Sequence, residues 1–275
     1  MTATAALYLT GLPVAVLIGF EAAAATRRLR RELANAGERL SARVGRGTSL
    51  LLASSIASAG LIVFGLLMGW LAAALESPVD RPAFRWAISQ FDRSPGFFQH
   101  TWYEWARLVT TMADSLQTRL LVIVAAVVLA IIWRRHRPWV PVVLIVGTYL
   151  VAYVAQKLLT RAVDRGHPPA EFGIVTLGTY PSGGCLRIVA VWGIIAVLLV
   201  RSFPNAPRWL APGLAGLVAV ASWTEAYTRL YLLKHWVTDV IGGLLLGSVL
   251  LLGAAVIAGR WIDRDAPVRE PALSR

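Results

Sequence analysis

The sequence predicts an all-α integral membrane protein, a polytopic bundle of membrane-spanning helices. Three observations predict it. Of the 275 residues, 57% are hydrophobic and only 15% are charged, whereas an ordinary soluble domain is about a quarter charged. The mean hydropathy is +0.62. Several apolar runs exceed about 18 residues, the length at which a helix crosses a hydrocarbon core of roughly 30 Å.

Seven apolar runs are predicted as membrane spans. They cover residues 4–25, 49–75, 119–133, 139–157, 184–203, 208–227 and 237–259. The third run is short and begins earlier if it includes part of the segment 105–116. The first is interpreted as a retained helix, because its basic residues follow the apolar run, whereas a cleaved signal peptide carries them before it.

The net charge of +12 is interpreted as membrane topology, and no nucleic-acid partner is expected. Most of the 27 Lys and Arg residues follow the first, third and fifth spans or lie in the C-terminal tail. Since cytoplasmic segments collect these residues, the C-terminus is predicted to be cytoplasmic and the N-terminus outside. The expected organisation is an N-terminal helix with a basic cytoplasmic loop (1–48), a membrane core (49–260) and a cytoplasmic tail (261–275).

Three polar stretches are predicted to meet at the outer membrane face. They are KLLTRAVDRGHPP (157–169), TYPSGGCLR (179–187) and TRLYLLKHWVTD (228–239), and each lies where a span begins or ends. Charged groups at such depth are costly and usually functional. Interfacial anchoring is the alternative. A long outer segment, 76–118, is rich in Trp, Phe and Tyr and is predicted to form an amphipathic helix at the interface.

His235 and Asp239 form the most informative pair. On a helix, residues four apart lie about one turn apart on the same face. Asp239 could then accept the Nδ1 hydrogen of His235 and leave Nε2 free as a nucleophile. The same spacing also occurs in metal half-sites and structural pairs, but too few ligands stand nearby for zinc. The single cysteine, Cys185, also excludes a multi-cysteine metal site, so no metal or other cofactor is expected.

The other two stretches suggest phosphate binding. Ser182 is a strong candidate N-cap before Gly183 and Gly184, and a helix start of this kind presents free N–H groups to an anion. Arg187 either adds to this anion site or anchors the helix end. The chain contains only two lysines, Lys157 and Lys234, and both lie in the polar stretches.

These motifs resemble those of the type 2 phosphatidic acid phosphatase (PAP2) superfamily, which carries K-x6-R-P, P-S-G-H and S-R-x5-H-x3-D. Residues 228–239 match the third motif, with Thr228 in place of Ser. Residues 181–183 match part of the second motif. Lys157 and Arg165 match the first, with one extra residue between them and Gly166 in place of Pro. The resemblance spans roughly residues 49–259 and implies a six-helix core with the N-terminal helix as an addition.

The resemblance implies a metal-free phosphatase acting on a lipid phosphate or prenyl diphosphate. His235 would attack phosphorus and Asp239 would orient it. The implied phosphate-binding residues are Lys157, Arg165, Ser182, Gly183 and Arg229. The bias toward arginine suggests a bacterial cell membrane, with the active site on its outer side.

The chain departs from the family at Gly184, where the family has the histidine thought to protonate the leaving oxygen. His167 could donate that proton instead. Alternatively, a diphosphate substrate needs no acid, because its leaving group is weakly basic. A third alternative is a non-hydrolytic protein: a lipid-phosphate binder, a phosphotransferase or an envelope-assembly subunit.

A transporter is the remaining alternative, with Glu21 and Glu225 as intramembrane polar residues. Glu225 lies one turn before Arg229, so a local ion pair is the simpler interpretation.

Overall fold

The protein is all-helical over the residues that its computed structural model describes, which are 3–91, 96–135, 137–168, 179–203 and 205–262. The predicted tail lies outside the described residues apart from residues 261 and 262. The helices are α1 (Ala3–Val44), α2 (Arg46–Ala74), α3 (Arg81–Phe91), α4 (Gly96–Thr110), α5 (Ser115–Ile132), α6 (Trp139–Val163), α7 (Gly183–Arg187), α8 (Gly193–Ser202), α9 (Leu210–Tyr231) and α10 (Val237–Ile262). Short π-helical turns, Glu76–Asp80 and Ile188–Trp192, precede α3 and join α7 to α8.

Five helical segments are long and apolar enough to cross a membrane: Ala5–Ala22, Ser55–Ala74, Trp139–Val163, Gly183–Ser202 and Val237–Gly259. A sixth span is possible if the bent pair His100–Ala113 and Leu116–Ile132, with a 49° bend between them, crosses as one unit. The expected early start of the third span corresponds to this pair. The prediction of an all-α membrane bundle is therefore confirmed.

Helix α9 covers the predicted sixth span but is not among those five. Its last turns carry Glu225, Thr228 and Arg229, all of which are buried. Helices α1, α4 and α8 pack around it. Its polar residues therefore face protein, which is how ionisable groups are accommodated at membrane depth.

The basic segment after the first span was expected to be a loop, but α1 continues through it to Val44. Arg, Leu, Glu and Ala are strong helix formers and dominate this segment. Arg28 and Glu32 add an exposed i,i+4 ion pair at 3.2 Å. At its other end, α1 packs on α9, where the Tyr8 hydroxyl lies 3.0 Å from Thr224 Oγ1.

Candidate active site

The three polar stretches meet at one end of the bundle, as the sequence predicts. The Thr179 N–H donates to the carbonyl of Arg165 at 3.0 Å, and the Ser182 N–H donates to the carbonyl of Asp239 at 3.0 Å. Arg165 Nη1 donates to Asp239 Oδ1 at 2.9 Å. Each stretch is thus hydrogen-bonded to another, and ends of α6, α7, α9 and α10 meet here.

A tight turn after α9 places His235. Leu233 has a φ of 55°, in the left-handed region that L-residues rarely adopt. The N–H groups of Leu233 and Lys234 donate to the carbonyls of Leu230 and Arg229, both at 3.0 Å. This bonding pattern is a Schellman motif, which ends the helix and reverses the chain. His235 therefore lies in a short connection between two helices.

The prediction that His235 and Asp239 form a helical i,i+4 pair is wrong in one respect, since α10 begins only at Val237. The reason is that Asp239 Oδ2 accepts the N–H of Trp236 at 3.1 Å and so caps the start of the helix. The two side chains are still neighbours, with His235 Nδ1 3.7 Å from Asp239 Oδ2. That distance permits an ion pair but is too long for a hydrogen bond. Asp239 is fully buried, and the His235 side chain is 15% exposed.

The two site histidines share an electrostatic environment. Burial lowers the pKa of His235 below its ordinary value of 6.5, while the neighbouring Asp239 and the Thr179 backbone oppose this shift. Burial also lowers the pKa of His167, and the charge of His235 lowers it further, while Asp239 raises it. His167, the candidate proton donor, therefore lies within electrostatic reach of the candidate nucleophile and its carboxylate.

Arg165 is enclosed by acidic partners. Besides Asp239, its guanidinium donates from Nη2 to Asp80 Oδ2 at 2.5 Å. Its Nε lies 3.5 Å from Glu76 Oε2. The side chain is 3% exposed, and its guanidinium lies 5.5 Å from the ring centre of Trp236. Arg165 is therefore the counter-ion of Asp239 in this structure, in addition to its predicted role toward phosphate.

Arg229 is paired in the same way. Its Nη2 donates to Asp114 Oδ1 at 2.8 Å, and its Nε donates to Glu225 Oε1. The local pair of Glu225 with Arg229, predicted from their spacing, is thus confirmed. Glu21, the other residue considered for a transport pathway, is exposed on α1.

Gly184 makes room for this ion pair. A Cβ atom at position 184 would lie 2.0 Å from Glu225 Oε1 and 2.9 Å from Arg229 Nη2. Any side chain here would have to displace buried charged groups. The carboxyl of Glu225 therefore fills the space next to the helix start that a side chain at position 184 would need.

Ser182 occupies the N-cap position of α7, as predicted, but its side chain does not cap the helix. Its Oγ is buried and has no hydrogen-bond partner among the described residues. Gly183 packs against α6, where a Cβ atom would lie 2.2 Å from Gln156 Nε2. Arg187 proves to be an anchor, donating to the carbonyl of Ala113 from Nε and Nη2 at 3.1 and 2.8 Å.

Lys157 stands apart from this cluster in the contacts that the described residues show. Its Nζ lies 5.8 Å from the ring centre of Tyr153, one turn earlier on α6. The preceding residue on α6, Gln156, accepts a hydrogen bond from Arg187 at 2.9 Å. Lys157 is thus close in sequence to a residue that packs on α7, without a direct contact to His235 or Asp239.

Sequence reasoning missed Asp80 and Asp114, the acidic partners of the two site arginines. Each lies more than 60 residues from its arginine along the chain, so no local spacing links them. The only available signal was a carboxylate at each end of the aromatic outer segment, where burial is costly unless a cation is near.

Part of the chain is similar to known proteins. A model of the PAP2 superfamily matches residues 114–263, more than half of the chain. Phosphatidylglycerophosphatase B of Bacillus subtilis (strain 168) is 32% identical over 97 residues, which are 34% of this chain and 46% of that protein. The matched part therefore covers about half the length of this curated relative.

A solved structure supports the fold. The crystal structure described as the first transmembrane PAP2 type phosphatidylglycerolphosphate phosphatase, from Bacillus subtilis, matches with a TM-score of 0.59. The match covers 78% of this chain and 100% of that chain, at 22% sequence identity. At this identity the match bears on the fold, and the chemistry depends on the residues of the site.

Proposed function

Because the chain belongs to the PAP2 superfamily, we propose that it is a membrane phosphatase that hydrolyses a lipid phosphate or prenyl diphosphate through a phosphohistidine on His235. One observation carries the proposal: a histidine and a buried carboxylate 3.7 Å apart share one end of the bundle with a glycine-rich helix start and two arginines. The distribution of Lys and Arg between the predicted spans and in the tail supports an outward-facing site.

In the first step, the Nε2 lone pair of His235 attacks phosphorus and the bond from phosphorus to the leaving oxygen breaks. The imidazole gains positive charge as this happens, and Asp239 stabilises that charge. In the second step, water attacks the phosphohistidine, the P–N bond breaks and inorganic phosphate leaves. A lowered pKa suits His235 for this role, because a neutral imidazole retains its lone pair.

The arginines would hold the phosphoryl oxygens as charge spreads over them. A guanidinium has five N–H donors, and the contacts of Arg165 and Arg229 described above do not use all of them. Lys157 and the first amides of α7, with Ser182 and Gly183, would complete the binding site. The acidic partners of the two arginines reduce the net positive charge of the site, so substrate recognition would depend on directed hydrogen bonds.

The leaving group needs a proton unless it is already weakly basic. Gly184 cannot supply one, and Glu225, which fills the adjoining space, is held in an ion pair. Two explanations remain. Either His167 donates the proton, or the substrate is a diphosphate whose leaving phosphate needs no proton donor. General acid catalysis contributes roughly 10²–10⁴-fold to the rate, so loss of the proton donor would give a measurably different turnover under the two explanations.

The test is phosphate release by the purified protein in proteoliposomes. The panel would contain phosphatidic acid, phosphatidylglycerophosphate and a prenyl diphosphate, each measured with wild type and His235→Ala. We expect wild type to release phosphate from at least one lipid and His235→Ala to lose that release. Binding of the lipid without release by wild type would favour a non-hydrolytic protein.

A further inference from the structure

Asp80 is a buried carboxylate that no motif assigns to the site. It ends the π-helical turn Glu76–Asp80, in the outer segment between α2 and α3. It is 1% exposed, although it lies in a segment with mostly accessible neighbours. A carboxylate is buried to this extent only when charged or polar partners compensate the loss of water.

Its partners are Thr238, in the first turn of α10, and Arg165, the counter-ion of Asp239. Asp80 Oδ1 accepts the N–H of Thr238 at 3.0 Å, and Oδ2 accepts the Thr238 hydroxyl at 2.7 Å. The N–H groups of the first helical turn have no partner within the helix, so Asp80 caps α10 from a distant part of the chain. Its negative charge also interacts favourably with the positive, N-terminal end of the α10 dipole.

Arg165 extends this contact to Asp239. Its Nη2 binds Asp80, while Nη1 binds Asp239 at 2.9 Å and the Thr238 hydroxyl at 2.7 Å. One guanidinium thus spans two carboxylates that are both essentially inaccessible to solvent. Arginine suits such a bridge because its planar fork directs several donors at fixed angles.

A second contact fixes the outer segment to the same turn. The rings of Phe84 and Trp236 lie 5.7 Å apart, and Trp236 Nε1 donates to the carbonyl of Gly166 at 2.9 Å. Trp236 follows His235 directly. The outer segment therefore contacts Trp236 and Thr238, which both follow the candidate nucleophile closely in the chain.

We infer that Asp80 is a positioning residue for His235: it holds Arg165 against Asp239 and fixes the start of α10, so that the outer segment sets the geometry of the nucleophile. The inference depends on the proposed function of His235. Without the charge of Asp80, the guanidinium of Arg165 would lose one of its two carboxylate partners, and Asp239 could move relative to the imidazole. A displacement of Asp239 lowers the rate of the chemical step more than it lowers substrate affinity.

The experiment compares Asp80→Asn with Glu104→Gln in the full-length protein, using dioctanoyl phosphatidic acid and a short-chain prenyl diphosphate as probes. Glu104 is the control, because it is a carboxylate of the same outer segment that pairs with Arg107 on the surface, at 3.5 Å. We expect Asp80→Asn to lower kcat about tenfold or more while KM changes by less than about threefold. Glu104→Gln should stay within about threefold of wild type.

A double-mutant cycle separates positioning from general loss of structure. If Asp80 acts through Arg165, Asp80→Asn should add little to the loss of kcat caused by Arg165→Gln. Fully additive losses, or an Asp80→Asn enzyme with wild-type kcat, would overturn the inference. Where Asp80→Asn does not fold, Thr238→Val should show a lower kcat than Thr238→Ser, which keeps the hydroxyl, and equal values would overturn it.

Wild type and His235→Ala are measured alongside. If wild type releases phosphate and His235→Ala does not, an unaffected Asp80→Asn enzyme refutes only the role of Asp80. If wild type releases no phosphate from any probe, the proposed function is refuted, and the positioning role with it.

Discussion

Arg165 donates a 2.9 Å hydrogen bond from Nη1 to Oδ1 of Asp239, the carboxylate that lies beside His235. The bond leaves Oδ2 for the helix cap at Trp236 and for the imidazole. Asp239 is therefore held from two directions before any substrate arrives. A buried carboxylate fixed in this way can stabilise a charge that develops on the imidazole without first having to reorganise.

The acid side of the pH–rate profile should reflect His235. Its pKa is lowered by burial, so the neutral, nucleophilic imidazole should persist below pH 6.5. We expect kcat/KM to fall only when the pH drops through this lowered pKa. The measurement is kcat/KM against pH on a substrate whose own phosphate ionisation has been determined separately. An acid limb clearly above pH 6.5 after that correction would contradict the assignment.

Asp239→Asn provides the matched comparison for the sign of this effect. Asp239 raises the pKa of His235, so its neutralisation should move any residual acid limb to still lower pH. The rate should also fall, because the positive imidazole loses its partner. A limb that moved upward would show that Asp239 acts on a different group.

Gly184→Ala should weaken substrate binding and lower stability, although it adds only one carbon atom. The added Cβ would lie 2.0 Å from Glu225 Oε1, so the ion pair with Arg229 would have to shift. We expect a KM increase of about tenfold and a lower unfolding temperature, since overpacking and a disturbed buried pair both cost stability. Gly147→Ala in α6 is the control, because a Cβ atom there meets no atom within 4 Å. Equal behaviour of the two variants would contradict the proposed packing.

Local spacing was enough to predict several parts of this site, because the residues involved lie within one turn of each other. It gave the Glu225–Arg229 pair and the Ser182 helix start. It placed Asp239 next to His235 but missed that the helix begins after His235, because the N–H of Trp236 bonds to the Asp239 carboxylate. The bridge that Arg165 forms between Asp80 and Asp239 could not be predicted, since it depends on how the outer segment packs on α10.

His167→Gln should show whether His167 protonates the leaving group or the leaving group departs without a proton donor. If His167 is the donor, turnover of phosphatidic acid should fall by about 10²-fold or more, because its alkoxide is a poor leaving group. Turnover of a prenyl diphosphate should change by only about threefold, since a phosphate leaves readily. Equal losses on both substrates would indicate a structural role, and no loss on either would remove His167 from the mechanism.

The central claim, covalent attack by His235 on a phosphorylated lipid, is tested most directly by trapping the intermediate. The protein would be mixed with a lipid labelled at the phosphorus that is transferred, quenched in alkali and examined for bound label. We predict an acid-labile, alkali-stable label on wild type, located at His235 and absent from His235→Ala. Phosphate release that persists in His235→Ala, or label found on another residue of an active enzyme, would contradict the account.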